Sequence, residues 1–191
     1  MKRGFKVVTK YLDKGLNLPK RATRNAAGYD FECAEDFVLP SIWKKDFLKI
    51  LRTVRKQKDF LKILRAVRKQ KDYSDEELME ADACLKPYLV PTGIKAYMQD
   101  DEFLMLANRS SNPLKRRLIL PNGVGIVDSD YYDNSENEGE IFFQLLNFGL
   151  KDVVIKKGER IGQGIFMPYL QIDDEDKPLA ERKGGFGSSG R

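Results

Sequence analysis

The sequence predicts an all-β fold, a sandwich or barrel, interrupted by a helical insertion at about residues 44–86. Three observations carry this reading. Short runs of β-branched and aromatic residues recur between Gly, Pro and Asn, the pattern of half-buried strands joined by tight turns. A thirteen-residue segment is written twice, KDFLKILRTVRKQ at 45–57 and KDFLKILRAVRKQ at 58–70, with Thr53 against Ala66 as the one difference. Charge is also uneven: residues 44–72 carry twelve basic and three acidic side chains, a local +9 that leaves −4 for the rest of a chain of net +5.

In chain order, GFKVVT, YLVPTGIKAYM, EFLMLAN, EIFFQLLNF, DVVI and GIFMPYL read as strands, and LPNGVGIV carries the Asn-Gly signal of a tight hairpin. Within one copy of the repeat, Phe47, Leu48, Ile50, Leu51 and Val54 form one stripe on a helix. Thirteen residues at about 100° each turn the second stripe about 140° away from the first, so a break between the copies is expected. Asp46 and Asp59 suit N-caps, and Ser74 with Glu77 fits the capping box of a third helix running to about Lys86. Two copies are too few for a solenoid, which needs about three, so the repeat is an addition to a fold and not the fold itself. Its basic face leaves two readings open, a solvated surface over an apolar stripe or a contact with nucleic acid or protein.

A length of 191 residues suits one domain, 1–191, with an insertion, and 41% apolar content supports a core. No apolar run approaches the roughly 18 residues that span a bilayer, and MKRGFKVVTKYL lacks the apolar centre of a signal peptide. A cytoplasmic protein with no membrane contact is expected. Cys33 and Cys84 are far apart and outside any C-x-x-C pair, so they read as buried free thiols and not as a disulfide or zinc site. The chain has no histidine. Cys-His and Ser-His catalysis and the commonest zinc ligand are thereby excluded; if the chain is a hydrolase, a carboxylate must activate the water, and any metal is expected to be a hard cation held by oxygen, Mg²⁺ above all.

Five stretches carry candidate chemistry: AAGYD at 26–30, NRSS at 108–111, NGVGIVDSDY at 122–131, GERIGQ at 158–163 and RKGGFGSSG at 182–190. NRSS and the Gly-rich RKGGFGSSG supply the Arg charge, hydroxyls and free main-chain N–H groups that bind phosphate oxygens. Asp128 follows the apolar run VGIV, where a carboxylate can be partly desolvated and still reach a pocket. Each stretch alone has an ordinary alternative: NRSSNP as a Ser/Asn turn, an Asp as a cap, a Tyr as a core residue, GGFGSSGR as a flexible linker.

Together and in this order, the five stretches resemble the motifs of the trimeric deoxyuridine triphosphatases (dUTPases), and the resemblance covers everything except about residues 41–86. It implies a distorted jelly roll, a homotrimer whose three active sites are shared between subunits, and hydrolysis of dUTP to dUMP and pyrophosphate with Mg²⁺ on the phosphates. By the same resemblance, Asp128 is the general base that deprotonates the water attacking the α-phosphorus, and Asp30 helps hold the hydrated Mg²⁺ indirectly, through water. Arg109, Ser110 and Ser111 match the phosphate-binding motif, and Gln163 the α-phosphate ligand. The main chain from Asn122 to Gly125, with the Asn122 side chain, matches the reader of uracil. Tyr131 matches the ring that lies against deoxyribose, although Tyr132 beside it leaves the register open. On the arm, 182–191, Phe186 matches the ring stacked on uracil while Arg182 and Ser188 match contacts to the terminal phosphate; such an arm is expected to become ordered only on binding.

The sequence departs from the family at three places. YDNSENEGE, 132–140, replaces a short turn to Gly-Glu, Gly162 replaces the usual Ala, and one residue instead of two separates Arg182 from GGFG. Two rival readings remain. A dCTP deaminase shares the fold and an Arg-Ser-Ser motif but lacks the GGFG arm and the Asp-x-x-Tyr arrangement. A regulator would use the helical insertion to bind a protein or nucleic acid, with hydrolysis secondary.

Overall fold

The computed structural model describes residues 2–43 and 86–173. The expected helical insertion, residue 86 apart, lies outside the described residues, as do Cys84 and the arm with Arg182, Phe186 and Ser188.

The fold is all-β and jelly-roll-like. Eleven strands occur among the described residues: β1 (Gly4–Val7), β2 (Tyr29–Glu32), β3 (Phe37–Leu39), β4 (Tyr88–Pro91), β5 (Ile94–Tyr97), β6 (Glu102–Ala107), β7 (Leu118–Ile119), β8 (Val124–Asp128), β9 (Phe142–Asn147), β10 (Val153–Ile155) and β11 (Arg160–Pro168). The largest sheet has the order β2-β11-β6-β8, a second has the order β4-β9-β7, and β1-β5 and β3-β10 form separate pairs. Every paired strand runs antiparallel to its neighbour.

Alternation along the strands builds one core. Leu104 and Leu106 of β6, Phe31 of β2, Val127 of β8 and Phe143 and Leu145 of β9 are all buried, and the Phe31 and Phe143 rings meet at 5.6 Å between centroids. This is the period-two pattern of strands with one wet face. Cys33 joins the same core as a free thiol that burial pushes up to about 11, as expected of an inert cysteine.

Two sequence expectations need correction. YLVPTGIKAYM forms two strands instead of one, because Gly93 takes φ +67° and a side chain there would strike Leu16 and Tyr11. The chain turns a corner at Thr92-Gly93, so β4 pairs with β9 while β5 pairs with β1. LPNGVGIV likewise forms no hairpin. Gly123 does adopt the positive φ of +73° that Asn-Gly invites, yet β7 pairs with β9 and β8 with β6, so the turn links two different sheets. No helix among the described residues is long and apolar enough to cross a membrane.

Candidate active site

Sheet register assembles one half of the site. Asp30 of β2 lies opposite Gln163 of β11, and Gln163 lies opposite Ala107 of β6. Directly paired residues of an antiparallel sheet point to the same face, so Asp30 and Gln163 share the outer face, away from Phe31 and Leu106. Gly28 makes this possible, since a Cβ there would collide with the Gln163 amide.

Just past Ala107 the chain leaves β6 as Asn108-Arg109-Ser110-Ser111, and two asparagines fix the path of that loop. Asn112 Nδ2 donates to Asn108 Oδ1 at 2.7 Å and to the Ile161 carbonyl at 2.8 Å, while Asn108 Nδ2 donates to the Leu118 carbonyl at 3.1 Å. Asn108 Oδ1 also accepts the Arg109 N–H at 2.9 Å, and the Asn108 carbonyl accepts Gln163 Nε2 at 3.2 Å. Arg109 is thereby aimed back at the sheet.

There Arg109 Nε lies 3.2 Å from Asp30 Oδ1, and Arg160 Nη1 lies 3.1 Å from Asp30 Oδ2. Each oxygen of one carboxylate faces its own guanidinium. The Asp30 side chain is 17% exposed and that of Arg109 25%, so this is a half-buried group of net +1 opening outward. Ser110 is exposed and Ser111 half-buried beside it. A cleft of about 300 Å³ between residues 17–22 and Asp30, Glu32 and Arg160 adjoins the group. Arg160 is a residue that sequence reasoning passed over, although it stands in GERIGQ. A cation needed to balance a half-buried Asp30 was the signal that could have found it.

Asp128 ends β8, where it pairs with Phe103. Val124, four residues earlier, is the residue in line with Ala107, Gln163 and Asp30. Four residues of strand span about 13 Å, so one chain does not bring Asp128 to the Asp30–Arg109–Gln163 group. Both lie on the same outer face, with Val124 (44% exposed) and Ile126 (54%) on the strand between them.

Asn122 is exposed at the turn, where the Gly123 N–H donates to the Leu120 carbonyl at 3.0 Å and the Val124 N–H to the Asn122 carbonyl at 2.8 Å. Gly125 lies opposite Leu106, whose Cβ would be 3.2 Å from a Cβ on Gly125. Tyr131 is 7% exposed; its hydroxyl donates to the Glu140 carbonyl and accepts from Asn137 Nδ2, both at 2.9 Å. Tyr132 points elsewhere, its ring 6.0 Å from that of Tyr97 and 5.3 Å from Lys95 Nζ. Among the described residues, no group of three or more His, Cys, Asp or Glu could hold a metal ion.

A pair of guanidiniums around one carboxylate, with serine hydroxyls alongside on a jelly-roll-like sheet, marks an all-β protein whose outer face carries a group suited to an anionic ligand. The family model for dUTPase matches residues 76–190. The chain is 43% identical over 189 residues, covering 98% of itself and 97% of the relative, to the deoxyuridine 5′-triphosphate nucleotidohydrolase of Lactococcus lactis subsp. lactis (strain IL1403). The crystal structure of dUTPase from Streptococcus mutans superposes with a TM-score of 0.64 at 39% identity, over 89% of this chain and 98% of that one. A mutant dUTPase from phage phi11 of S. aureus, whose structure describes the coordination of a structural Mg(II) ion, shares the fold at TM-score 0.57 and 12% identity, over 93% and 97% of the two chains. The chain belongs to the dUTPase family, and it is a nucleotide hydrolase acting on dUTP.

Proposed function

We propose that this enzyme hydrolyses dUTP to dUMP and pyrophosphate at sites built between subunits of a homotrimer. The observation that carries the reading is the placement of Asp30 and Gln163 in one row of the outer face, with the Arg109 guanidinium against Asp30, and of Asp128 about 13 Å along that face. Two halves of a site that cannot meet within a chain are complete only when a second copy presents its Asp128 to the first copy's arginine. The exposed Val124 and Ile126 between them give such a copy an apolar surface to cover.

In this reading Asp128 takes a proton from water as its oxygen attacks the α-phosphorus. The bond from the α-phosphorus to the bridging oxygen breaks, and pyrophosphate leaves. Arg109 has five N–H donors, of which Asp30 and the Arg160 carbonyl occupy two, so three remain for phosphate oxygens. Ser110, Ser111 and Gln163 add neutral donors, and the turn from Asn122 to Gly125 reads uracil while Tyr131 walls off the sugar. Arg182, Phe186 and Ser188 of the arm close over the nucleotide.

The donor set suits Mg²⁺ carried by the substrate and not a cage built by protein. Asp30 spends one lone pair on each arginine, and a carboxylate has about four, so it retains acceptors for metal-bound water. Mg²⁺ so bound would neutralise phosphate charge and hold the triphosphate in one shape.

The test is Asp128→Asn, which keeps size and removes the base. Turnover of dUTP should fall at least about 10²-fold with nucleotide binding largely retained. Near-normal turnover would overturn the assignment. One sequence observation favours a second role: the +9 segment from Lys44 to Asp72 contains none of the five motifs. A basic module of this kind suits a protein or nucleic-acid partner alongside hydrolysis.

A further inference from the structure

The segment between β8 and β9, where the sequence departs from the family, forms a closed brace around Tyr131. We propose that Asn137 is a positioning residue for sugar selectivity: it locks the Tyr131 ring by donating to its hydroxyl. The proposal rests on the reading of Tyr131 as the wall that excludes a 2′-hydroxyl.

The hydrogen bonds leave one arrangement. A carbonyl can only accept, so the phenol proton goes to the Glu140 carbonyl and the Tyr131 oxygen is left to accept from Asn137 Nδ2. The orientation of the Asn137 amide is fixed as well, because its Oδ1 accepts the Gly139 N–H at 3.0 Å and Asn134 Nδ2 at 2.8 Å. Asn134 in turn folds the segment. Its Oδ1 accepts the N–H groups of Glu136 and Asn137 at 3.1 and 3.2 Å, and its Nδ2 donates to the Tyr131 carbonyl at 2.9 Å. Gly139, at φ +79°, lets the chain return so closely that a Cβ would lie 2.6 Å from the Tyr131 carbonyl oxygen.

The brace is also anchored from outside. Glu140 accepts the Gly93 N–H at 3.2 Å and pairs with Lys10 at 2.6 Å, and Glu138 accepts from Thr9 Oγ1 at 2.9 Å. The Tyr131 hydroxyl and main-chain carbonyl are thus both tied to a segment that is itself tied to the body of the protein.

Rigidity is what a steric filter for one hydroxyl needs. A pocket without a dedicated polar group rejects an added hydroxyl by only about 10²-fold, and a ring free to retreat rejects it less. One hydrogen bond on the ring is worth about tenfold in such a ratio.

The test uses the full-length enzyme and pyrophosphate release from dUTP and from UTP. Asn137→Asp keeps the size and the acceptor for the Gly139 N–H but cannot donate to Tyr131. It should lower the dUTP/UTP ratio of kcat/KM about tenfold, mainly through the UTP term. In a Tyr131→Phe background the same substitution should change the ratio by less than about twofold, because its partner is gone. A merely structural role would lower thermal stability and both rates together and leave the ratio fixed, which would overturn the proposal. Tyr131→Ala separates the two layers. If it collapses the ratio while Asn137→Asp leaves it intact, only this inference falls; if it too leaves the ratio intact, the reading of Tyr131 falls with it.

Discussion

Glu140 is 1% exposed and still keeps a carboxyl, held by the Lys10 ammonium at 2.6 Å and the Gly93 N–H at 3.2 Å. Burial wins over both partners and pushes this carboxyl above the ordinary 4.5. A raised value means that the folded state binds the proton more tightly than the unfolded state. The resulting stabilisation is complete below the ordinary value and is lost as pH rises through the raised one. Glu140→Gln removes this dependence. In urea unfolding, the variant should gain stability relative to the parent as pH rises above the ordinary carboxylate value, and a difference independent of pH would show that burial does not shift this carboxyl. Asp30 represents the opposite solution for a half-buried carboxylate, with a guanidinium on each oxygen. Those cations also leave the group a net positive charge, as the proposed contact with a triphosphate requires.

At the scale of elements, β11 decides most of the site geometry. A register shift between Arg160 and Gly162 separates the part of the strand facing Glu32 from the part that aligns Gln163 with Asp30. Gly162 is buried there with the Phe143 ring filling the place of its missing Cβ. This explains the departure from the Ala usual in the family, since the large residue on β9 takes the room that a methyl group needs. Gly162→Ala should therefore cost about 1–3 kcal/mol through overpacking. Adding Phe143→Leu should recover part of the loss, so that the double variant is more stable than the sum of the singles predicts. Urea midpoints of the four proteins measure this, and strict additivity would mean that the two side chains do not compete for the same space.

For the whole molecule, the proposed sharing of sites has a consequence that single variants cannot imitate. Arg109→Ala and Asp128→Asn each remove one half of the site, and in homotrimers of either variant every site is defective. When the two chains are mixed equally and allowed to exchange subunits, random assembly gives about a quarter of the sites one intact half from each chain. Activity should rise from near zero in each parent to about a quarter of the unsubstituted level. A mixture that stays inactive would place both halves of every site within one chain.

By itself the sequence determined the strands that alternate, the five motifs and the membership they signal, because these depend on neighbours along the chain. EFLMLAN and EIFFQLLNF became β6 and β9 since five or six alternating residues leave one apolar face that must be buried. β2 and β3 were not read from the sequence, and each is held by a partner far along the chain, β11 and β10. Asn-Gly correctly predicted a positive φ at Gly123, a local property, and wrongly predicted a hairpin, because pairing depends on which partner each flanking strand finds. The same distinction governs the site. Asp30, Arg109 and Gln163 are up to 133 residues apart in the chain and meet only through the register of β2, β11 and β6. Arg160 became a partner of Asp30 through the shifted register of β11, and Asn137 became a partner of Tyr131 through a turn closed by Gly139. Those pairings were decided by tertiary structure, since a hydrogen bond or an ion pair acts over about 3 Å of space, whatever the distance along the chain.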